Sequence, residues 1–303
     1  MKRFLIFAVT NILVVLTISI LVNILGLRPY LSSRGLDYQG LLVFCALFGF
    51  AGSFISLQMS RWSAKMAMGV QLIDPERPQG DFESRLVARV RKLCQMANLE
   101  TLPEIGIYSS PEVNAFATGP SRSRSLLAIS TGLLQSMDSR AVDGVLGHEI
   151  SHIVNGDMVT MTLLQGVVNT FVMFVSRVAV ILIDNAMRSR DEDGRRGGGL
   201  GYFAQYMLIN VLQSVLMLLA SPLVYWFSRH REYRADAGSA GMMGRDTMIH
   251  ALESLRSGPR VRDDRAPAVS MFKIDGHGYG LAQMMFSTHP SLEKRIEALR
   301  NLP

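Results

Sequence analysis

The stretch His148-Glu149-Ile150-Ser151-His152 decides how this sequence is interpreted. Residues four apart lie on one face of an α-helix, so the two imidazoles can bind the same metal ion. Glu149 follows the first histidine, where its carboxylate can take a proton from a metal-bound water. Zinc suits a site of two nitrogens and a carboxylate that keeps one position for water. The pattern therefore predicts one zinc ion per chain, with Glu149 as the general base.

The residues around this stretch predict a helix that is preceded by a small sheet. Asp138 or Ser139 can cap the start of the helix, and Asn155-Gly156 can end it because both residues tolerate left-handed backbone. An amphipathic helix is predicted earlier from apolar side chains at helical spacing over residues 81–98. Between the two helices we expect an antiparallel sheet made of three short β-type runs: residues 104–109, 113–118 and 126–131.

A zinc site of this type needs a third protein ligand. Glu232 is the best candidate, because it is a carboxylate in a second predicted helical stretch, over residues 228–243. Asp236 follows one helical turn later, so it can face the same way and accept a hydrogen bond from a ligand imidazole. The two acidic residues are therefore predicted to act together, one as a ligand and one as a support.

Long apolar runs indicate a membrane protein. Apolar residues make up 49% of the 303-residue chain and charged residues only 18%. About twenty apolar residues cross a bilayer core as a helix, and four runs are long enough: residues 4–27, 40–57, 158–183 and 201–228. The last two runs contain polar residues, which inside a span usually face protein or a water-filled cavity.

These runs divide the chain into four predicted segments. Residues 1–60 form a transmembrane hairpin, and residues 158–228 form a second apolar pair joined by a charged loop. Residues 61–157 and 229–303 form the two parts of the domain that carries the metal ligands. The net charge of +6 is interpreted as attraction to anionic lipid head groups, and the sequence shows no basic patch typical of nucleic-acid binding.

Four longer strings make a family resemblance specific. They are HEISHIVNGD from His148, REYRADAGSA from Arg231, THPSLEKRIEAL from Thr288 and NAFATG from Asn114. With these strings the chain resembles the HtpX family of heat-shock membrane proteases, within the HtpX and prenyl-protease group of gluzincins. The resemblance covers essentially the whole chain. It implies an α+β fold: a mainly α-helical membrane protein with a gluzincin-type metalloprotease domain that contains a small antiparallel sheet.

The resemblance also implies the composition of the metal site. In this family the residues at the positions of His148, His152 and Glu232 bind zinc, and the residue at Glu149 is the general base. The residue at Asp236 supports the site from behind the ligands. These assignments agree with those made from the residues themselves.

Further site residues follow from the resemblance alone. It implies that His289, which precedes a proline, lies close to the metal together with Arg295. His289 then polarises the scissile carbonyl or stabilises the oxyanion; the alternative is that it caps the final helix, predicted over residues 290–301. The resemblance also implies an edge strand that accepts an extended substrate by backbone pairing, although the same strand also suits a buried core: Asn114, Ala115, Phe116 and Ala117.

The function implied is a membrane-bound zinc endopeptidase that degrades misfolded or damaged membrane proteins during stress. We expect it to lie in a bacterial-type inner membrane with its active site facing the cytoplasm, in contact with the lipid bilayer and with other membrane quality-control proteases as possible partners. One alternative is a prenyl-protein-type processing protease, whose relatives carry more membrane spans. The other is a non-catalytic membrane scaffold with structural zinc, which would recruit a fourth protein ligand and leave Glu149 without a function.

Overall fold

The computed structural model describes residues 37–188, 199–258 and 289–302, together with five isolated positions between residues 16 and 24. Apart from those five positions, the predicted apolar run over residues 4–27 lies outside the described residues, as do residues 189–198 of the charged loop. The helices are α1 Tyr38–Met68, α2 Gly80–Met96, α3 Thr131–Ser136, α4 Ser139–Asn155, α5 Asp157–Arg188, α6 Tyr202–Met243, α7 Arg245–Ser257 and α8 Leu292–Arg300. The strands are β1 Gln71–Ile73, β2 Glu104–Tyr108, β3 Ala115–Ser121 and β4 Arg124–Ser130.

The four strands form one sheet in the order β1-β2-β4-β3. The predicted α+β class is confirmed, but the prediction that the sheet is antiparallel is wrong. β2 and β4 run parallel, with Glu104 opposite Leu126, whereas the β1–β2 and β3–β4 pairs are antiparallel. The reason is that β3 does not pair with β2. The chain forms β3 one strand position away from β2, and the β3–β4 hairpin then places β4 between them. β3 therefore lies at an edge of the sheet.

The core that supports α4 is formed by the sheet and by two flanking helices. α2 buries one apolar face, as its sequence period predicts, and α7 adds Ala251. The sheet, α2 and α7 together keep α4 away from water along most of its length. The central buried side chains of this core are Leu86, Val90, Leu93, Ile105, Leu127, Ile129, Val145, Leu146 and Ile150.

Both ends of α4 are fixed by caps that the sequence predicts. The Asp138 carboxylate accepts a hydrogen bond from the Ala141 backbone N–H at 2.8 Å, which satisfies one of the donors left open at a helix start. Gly156 ends the helix in the left-handed conformation with φ of 70°, a geometry that a residue without a side chain adopts without strain. The next residue, Asp157, already begins α5.

Three helices among the described residues are long and apolar enough to cross a membrane: α1, α5 and α6. They correspond to the second, third and fourth apolar runs of the sequence. The chain divides into two compact units, one formed by Met1–Ile55 with Thr162–Val224 and the other by Ser56–Met161 with Tyr225–Pro303. In the first unit the Asn169 amide donates to the Ser53 hydroxyl at 3.3 Å, so this polar side chain faces another helix.

Candidate metal centre

Three predicted ligands converge in the second unit. The Nε2 atoms of His148 and His152 lie 3.1 Å apart. Glu232 places one carboxylate oxygen 3.4 Å from Nε2 of His148 and the other 3.3 Å from Nε2 of His152. All three side chains are buried, and together they form a group that can hold one metal ion.

The donor set fits zinc in type and in spacing. Ligand atoms about 2.0–2.1 Å from a zinc ion at tetrahedral angles lie roughly 3.3 Å from one another, close to the distances among these three side chains. Each histidine also directs Nδ1 at a carboxylate, Asp236 for His148 and Asp157 for His152. A carboxylate only accepts hydrogen bonds, so each Nδ1 carries a hydrogen, and Nε2 is left as the atom that can bind a metal ion at the shared centre. Two imidazole Nε2 atoms and a carboxylate that face one centre favour the binding of a cation there.

The pKa of His148 also indicates a site that favours positive charge. Burial and the Arg295 guanidinium lower the pKa of His148, but hydrogen bonds with Asp236 and Glu232 outweigh both and raise that pKa to about 9. The surroundings of the imidazole thus favour a positive charge despite the loss of water. A proton and a metal ion compete for the same Nε2 atom, so a metal bound there takes the place of the proton.

Small residues bring the ligand-bearing helices together. A side-chain carbon on Gly147 of α4 would lie 2.6 Å from the Ser239 hydroxyl of α6, and one on Gly238 would lie 2.6 Å from the Ser151 hydroxyl. The Ser239 hydroxyl also donates to the Gly144 carbonyl at 2.9 Å. The two helices can therefore approach closely enough for α6 to place Glu232 against the histidines of α4.

Asp236 and Arg295 lie together beside His148. The Asp236 carboxylate lies 2.9 Å from Nδ1 of His148, and Arg295 donates to both of its oxygens, at 2.6 and 2.8 Å. This paired arrangement of two planar groups is among the stronger hydrogen-bonded contacts in proteins. The Arg295 side chain is only 1% exposed, so the contact is shielded from water.

His289 lies beside the third ligand. Its Nδ1 atom is 2.9 Å from a Glu232 carboxylate oxygen, and its side chain is 10% exposed. The alternative prediction, that His289 caps the final helix, is wrong. The cap of α8 is Ser291, whose hydroxyl accepts a hydrogen bond from the Lys294 backbone N–H at 3.4 Å.

The remaining predicted residues lie on α4 and at the start of β3. Glu149 is buried on α4 between the two histidine ligands in the sequence. Asn114 precedes β3, and its amide donates to the buried Tyr108 hydroxyl at 3.1 Å. Asn114, Ala115 and Phe116 are buried as whole residues, and Ala117 is partly exposed.

Two residues at the site carry no assignment from the sequence. Asp157 lies 2.7 Å from Nδ1 of His152, and Arg234 lies 2.7 Å from the other oxygen of Asp157. Asp157 falls within the string that begins at His148, but it stands after the helix-ending Gly156 and was not connected with the ligands. The signal that would have found it is an acidic residue directly after the glycine, because a chain that turns there returns towards the last turn of the helix it has just left.

The fold and the site together define a class: a mainly helical protein with apolar helices, a small sheet, a buried HExxH helix and a glutamate from a later helix that completes a group able to hold a metal ion. The profile of Peptidase family M48 matches residues 82–302. The chain is 48% identical over 305 residues to a Protease HtpX homolog of Bacillus licheniformis, with 98% of each chain covered. It is 50% identical over 301 residues to the Protease HtpX of a Shewanella species, with 99% of each covered.

The chain therefore belongs to peptidase family M48, and the resemblance to the HtpX family stated from the sequence is confirmed. Its apolar helices and its relatives make it a membrane protein. The crystal structure of S. mikatae Ste24p shares its fold, with a TM-score of 0.56 at 17% sequence identity. That match covers 99% of this chain and 66% of Ste24p.

Proposed function

We propose that this protein is a zinc-dependent endopeptidase that hydrolyses peptide bonds of misfolded or damaged membrane proteins. The observation that carries the proposal is the convergence of His148, His152 and Glu232, with Glu149 next to the first ligand, in a chain of peptidase family M48. A scaffold with structural zinc would have no use for Glu149.

Different residues of the site are proposed to bind the metal, transfer the proton and stabilise the developing charge. His148, His152 and Glu232 would hold the zinc ion, which when bound lowers the pKa of a water molecule and polarises a carbonyl group. Glu149 takes a proton from the water that attacks the peptide carbonyl and passes this proton to the leaving amine. His289, held beside Glu232, is proposed to stabilise the negative charge that develops on the carbonyl oxygen.

The edge strand β3 supports a binding mode for the substrate. The backbone N–H of Ser130 in β4 donates to the Asn114 carbonyl, and the pairing continues with Ala115 opposite Ile129. Because hydrogen-bonding direction alternates along an antiparallel strand, the peptide groups of Ala115 and Ala117 point away from β4. We propose that an extended substrate pairs with this edge at Ala117, the partly exposed one of the two residues, so binding would depend little on substrate sequence.

The membrane helices support the proposed substrates and location. Asp157 begins α5 only five residues after His152, and α6 carries Glu232 near its C-terminal end, so both ligand-bearing segments continue into apolar helices. Such a site suits chains that leave the bilayer or fail to enter it. We propose the bacterial-type inner membrane, with residues 61–157 and 229–303 on the cytoplasmic side and other membrane quality-control proteases as partners.

The proposal is tested by replacing the general base alone. The purified full chain in detergent, loaded with zinc, is given an unfolded soluble protein, and cleavage and zinc content are measured together. We expect Glu149→Gln to retain zinc but to cleave at least ~100-fold more slowly, the usual contribution of a general base. The matched control is Glu100→Gln, which changes an exposed glutamate away from the site.

The other outcomes are equally informative. Equal cleavage by Glu149→Gln and the unchanged chain would show that Glu149 is not the base. Zinc bound by both proteins without any cleavage would favour the scaffold with structural zinc.

A further inference from the structure

The two histidine ligands are supported in the same way by two separate sets of residues. Each Nδ1 atom faces an aspartate, and each aspartate is held by an arginine on another part of the chain. The sets are His148-Asp236-Arg295 and His152-Asp157-Arg234. In the first set, Asp236 was expected to accept from a ligand imidazole, and Arg295 was expected near the metal from the family resemblance. The second has no assigned role, yet its histidine–aspartate distance is 2.7 Å against 2.9 Å in the first, and its aspartate is 0% exposed against 2%.

Both carboxylate oxygens of Asp157 are engaged. One lies 2.7 Å from Nδ1 of His152, and the other accepts from the Arg234 guanidinium at 2.7 Å. The Asp157 side chain is 0% exposed, so its own two oxygens are shielded from water. A buried carboxylate that accepts from Nδ1 fixes both the tautomer and the orientation of an imidazole ligand.

A simpler role for Asp157 is available from its position. It is the first residue of α5, where a negative charge interacts favourably with the helix dipole. That role requires neither burial nor contact with an imidazole, and it would be served by a carboxylate that pointed into solvent. The two directed contacts and the complete burial are therefore unexplained by helix stabilisation alone.

We propose that Asp157 is a positioning residue of the metal site, which holds His152 as an Nε2 ligand, and that Arg234 holds Asp157 in place. This inference rests on the proposed zinc centre. It also connects the centre with two apolar helices, because Asp157 begins α5 and Arg234 belongs to α6. The ligand His152 is thus linked through Asp157 to the first turn of α5, and through Arg234 to the C-terminal part of α6.

The two arginines are not equivalent. Arg295 makes two contacts with its aspartate and is 1% exposed, whereas Arg234 makes one contact and its side chain is 59% exposed. Water screens an exposed ion pair, so the contribution of Arg234 is the smaller one. Within the second set, Asp157 therefore carries most of the effect.

The test measures zinc affinity, which does not depend on finding a substrate. Zinc is titrated into the purified metal-free full chain in competition with a chromophoric chelator, and the melting temperature of each metal-free variant is recorded. We expect Asp157→Ala to bind zinc about 10–100-fold more weakly, the usual effect of losing a support of this kind. Asp157→Asn keeps an oxygen that can accept from Nδ1, so it should lose less, and Arg234→Ala should lose less than ~10-fold.

Asp184→Ala is the matched control, because Asp184 is also a buried aspartate of α5 and accepts from the Leu200 backbone N–H at 2.6 Å, far along the helix from the site. It should lower the melting temperature without changing zinc affinity. If Asp157→Ala does the same, the positioning role is overturned and helix stabilisation is sufficient. If Asp157→Ala does not fold, Asp157→Asn decides, and unchanged affinity in that variant overturns the inference. Absence of zinc binding by the unchanged chain would overturn the zinc centre itself.

Discussion

The two helices that supply the metal ligands are of different kinds. α4 has 17 residues, a cap at each end and apolar partners along its length, and it carries two ligands and the proposed base within five residues. α6 has 42 residues, of which the first part exposes large apolar side chains such as Tyr202, Phe203 and Leu219. Only its last turns bury polar groups, among them Glu232, Asp236 and Ser239. α4 belongs to a folded core. α6 is an apolar helix that contributes to the metal centre only near its C-terminal end.

The difference shows how much of a metal site depends on each helix alone. On α4 the local backbone sets the distance between the ligands, since any regular helix places residues four apart on one face. On α6 nothing local relates Glu232 to the histidines, because the relation exists only where the two helices touch. The centre therefore also depends on the close contact of the two helices through Gly147, Gly238 and Ser239.

The largest expected effect comes from removing the ligand on α6. Glu232→Ala leaves two imidazoles on α4, and we expect zinc binding to weaken by more than ~100-fold, because the loss of a ligand exceeds the loss of its support. The measurement is competition with a chelator, using the purified chain. Glu253→Ala, on α7 and outside the ligand group, should bind zinc as the unchanged chain does. Unchanged affinity in Glu232→Ala would mean that α4 binds the metal without α6.

Much of α4 could be predicted from the sequence because its signals are local. Asp138 and Gly156 bound the helix, and the His-Glu-x-x-His spacing needs only the helix period. Glu232 and Asp236 could be proposed from residue type and from the family resemblance, but their contact with α4 depends on how the chain returns after α5. The structure was needed to bring them together.

The errors and omissions have physical reasons of the same kind. The direction of β4 relative to β2 depends on the edge at which β3 is added, and β-type runs carry no such information. α7 was missed because its apolar face is short and its first residues are polar. Asp157 was missed because its partner His152 belongs to the preceding helix, so their contact depends on the turn at Gly156 rather than on a helical period.

A middle-sized effect is expected from forcing the two helices apart. Gly238→Ala places a carbon 2.6 Å from the Ser151 hydroxyl and 3.0 Å from the Ser151 side-chain carbon, so α4 and α6 must separate or Ser151 must rotate. Overpacking of this kind typically destabilises by about 1–3 kcal/mol, and the zinc affinity should fall with it. Thermal unfolding of the metal-free chain and chelator competition measure the two effects.

Gly241→Ala is the matched control on the same helix, since nothing lies within 4 Å of the added carbon. Alanine suits a helix interior better than glycine by about 0.5–1 kcal/mol, so this variant should be as stable as the unchanged chain or more so. If Gly238→Ala behaved like Gly241→Ala, close contact between α4 and α6 would not be a condition for the site.

The smallest expected effect comes from removing one hydrogen bond between the helices without changing their spacing. The Ser239 hydroxyl donates to the Gly144 carbonyl, which in a regular helix already accepts from the His148 backbone N–H. Ser239→Ala therefore leaves no buried acceptor without a partner, and we expect a loss of about 1 kcal/mol in stability with zinc affinity nearly unchanged. Ser214→Ala, whose hydroxyl bonds within the exposed part of α6, should have no effect. A large loss of zinc affinity in Ser239→Ala would mean that this hydrogen bond, rather than the small side chains, holds Glu232 against α4.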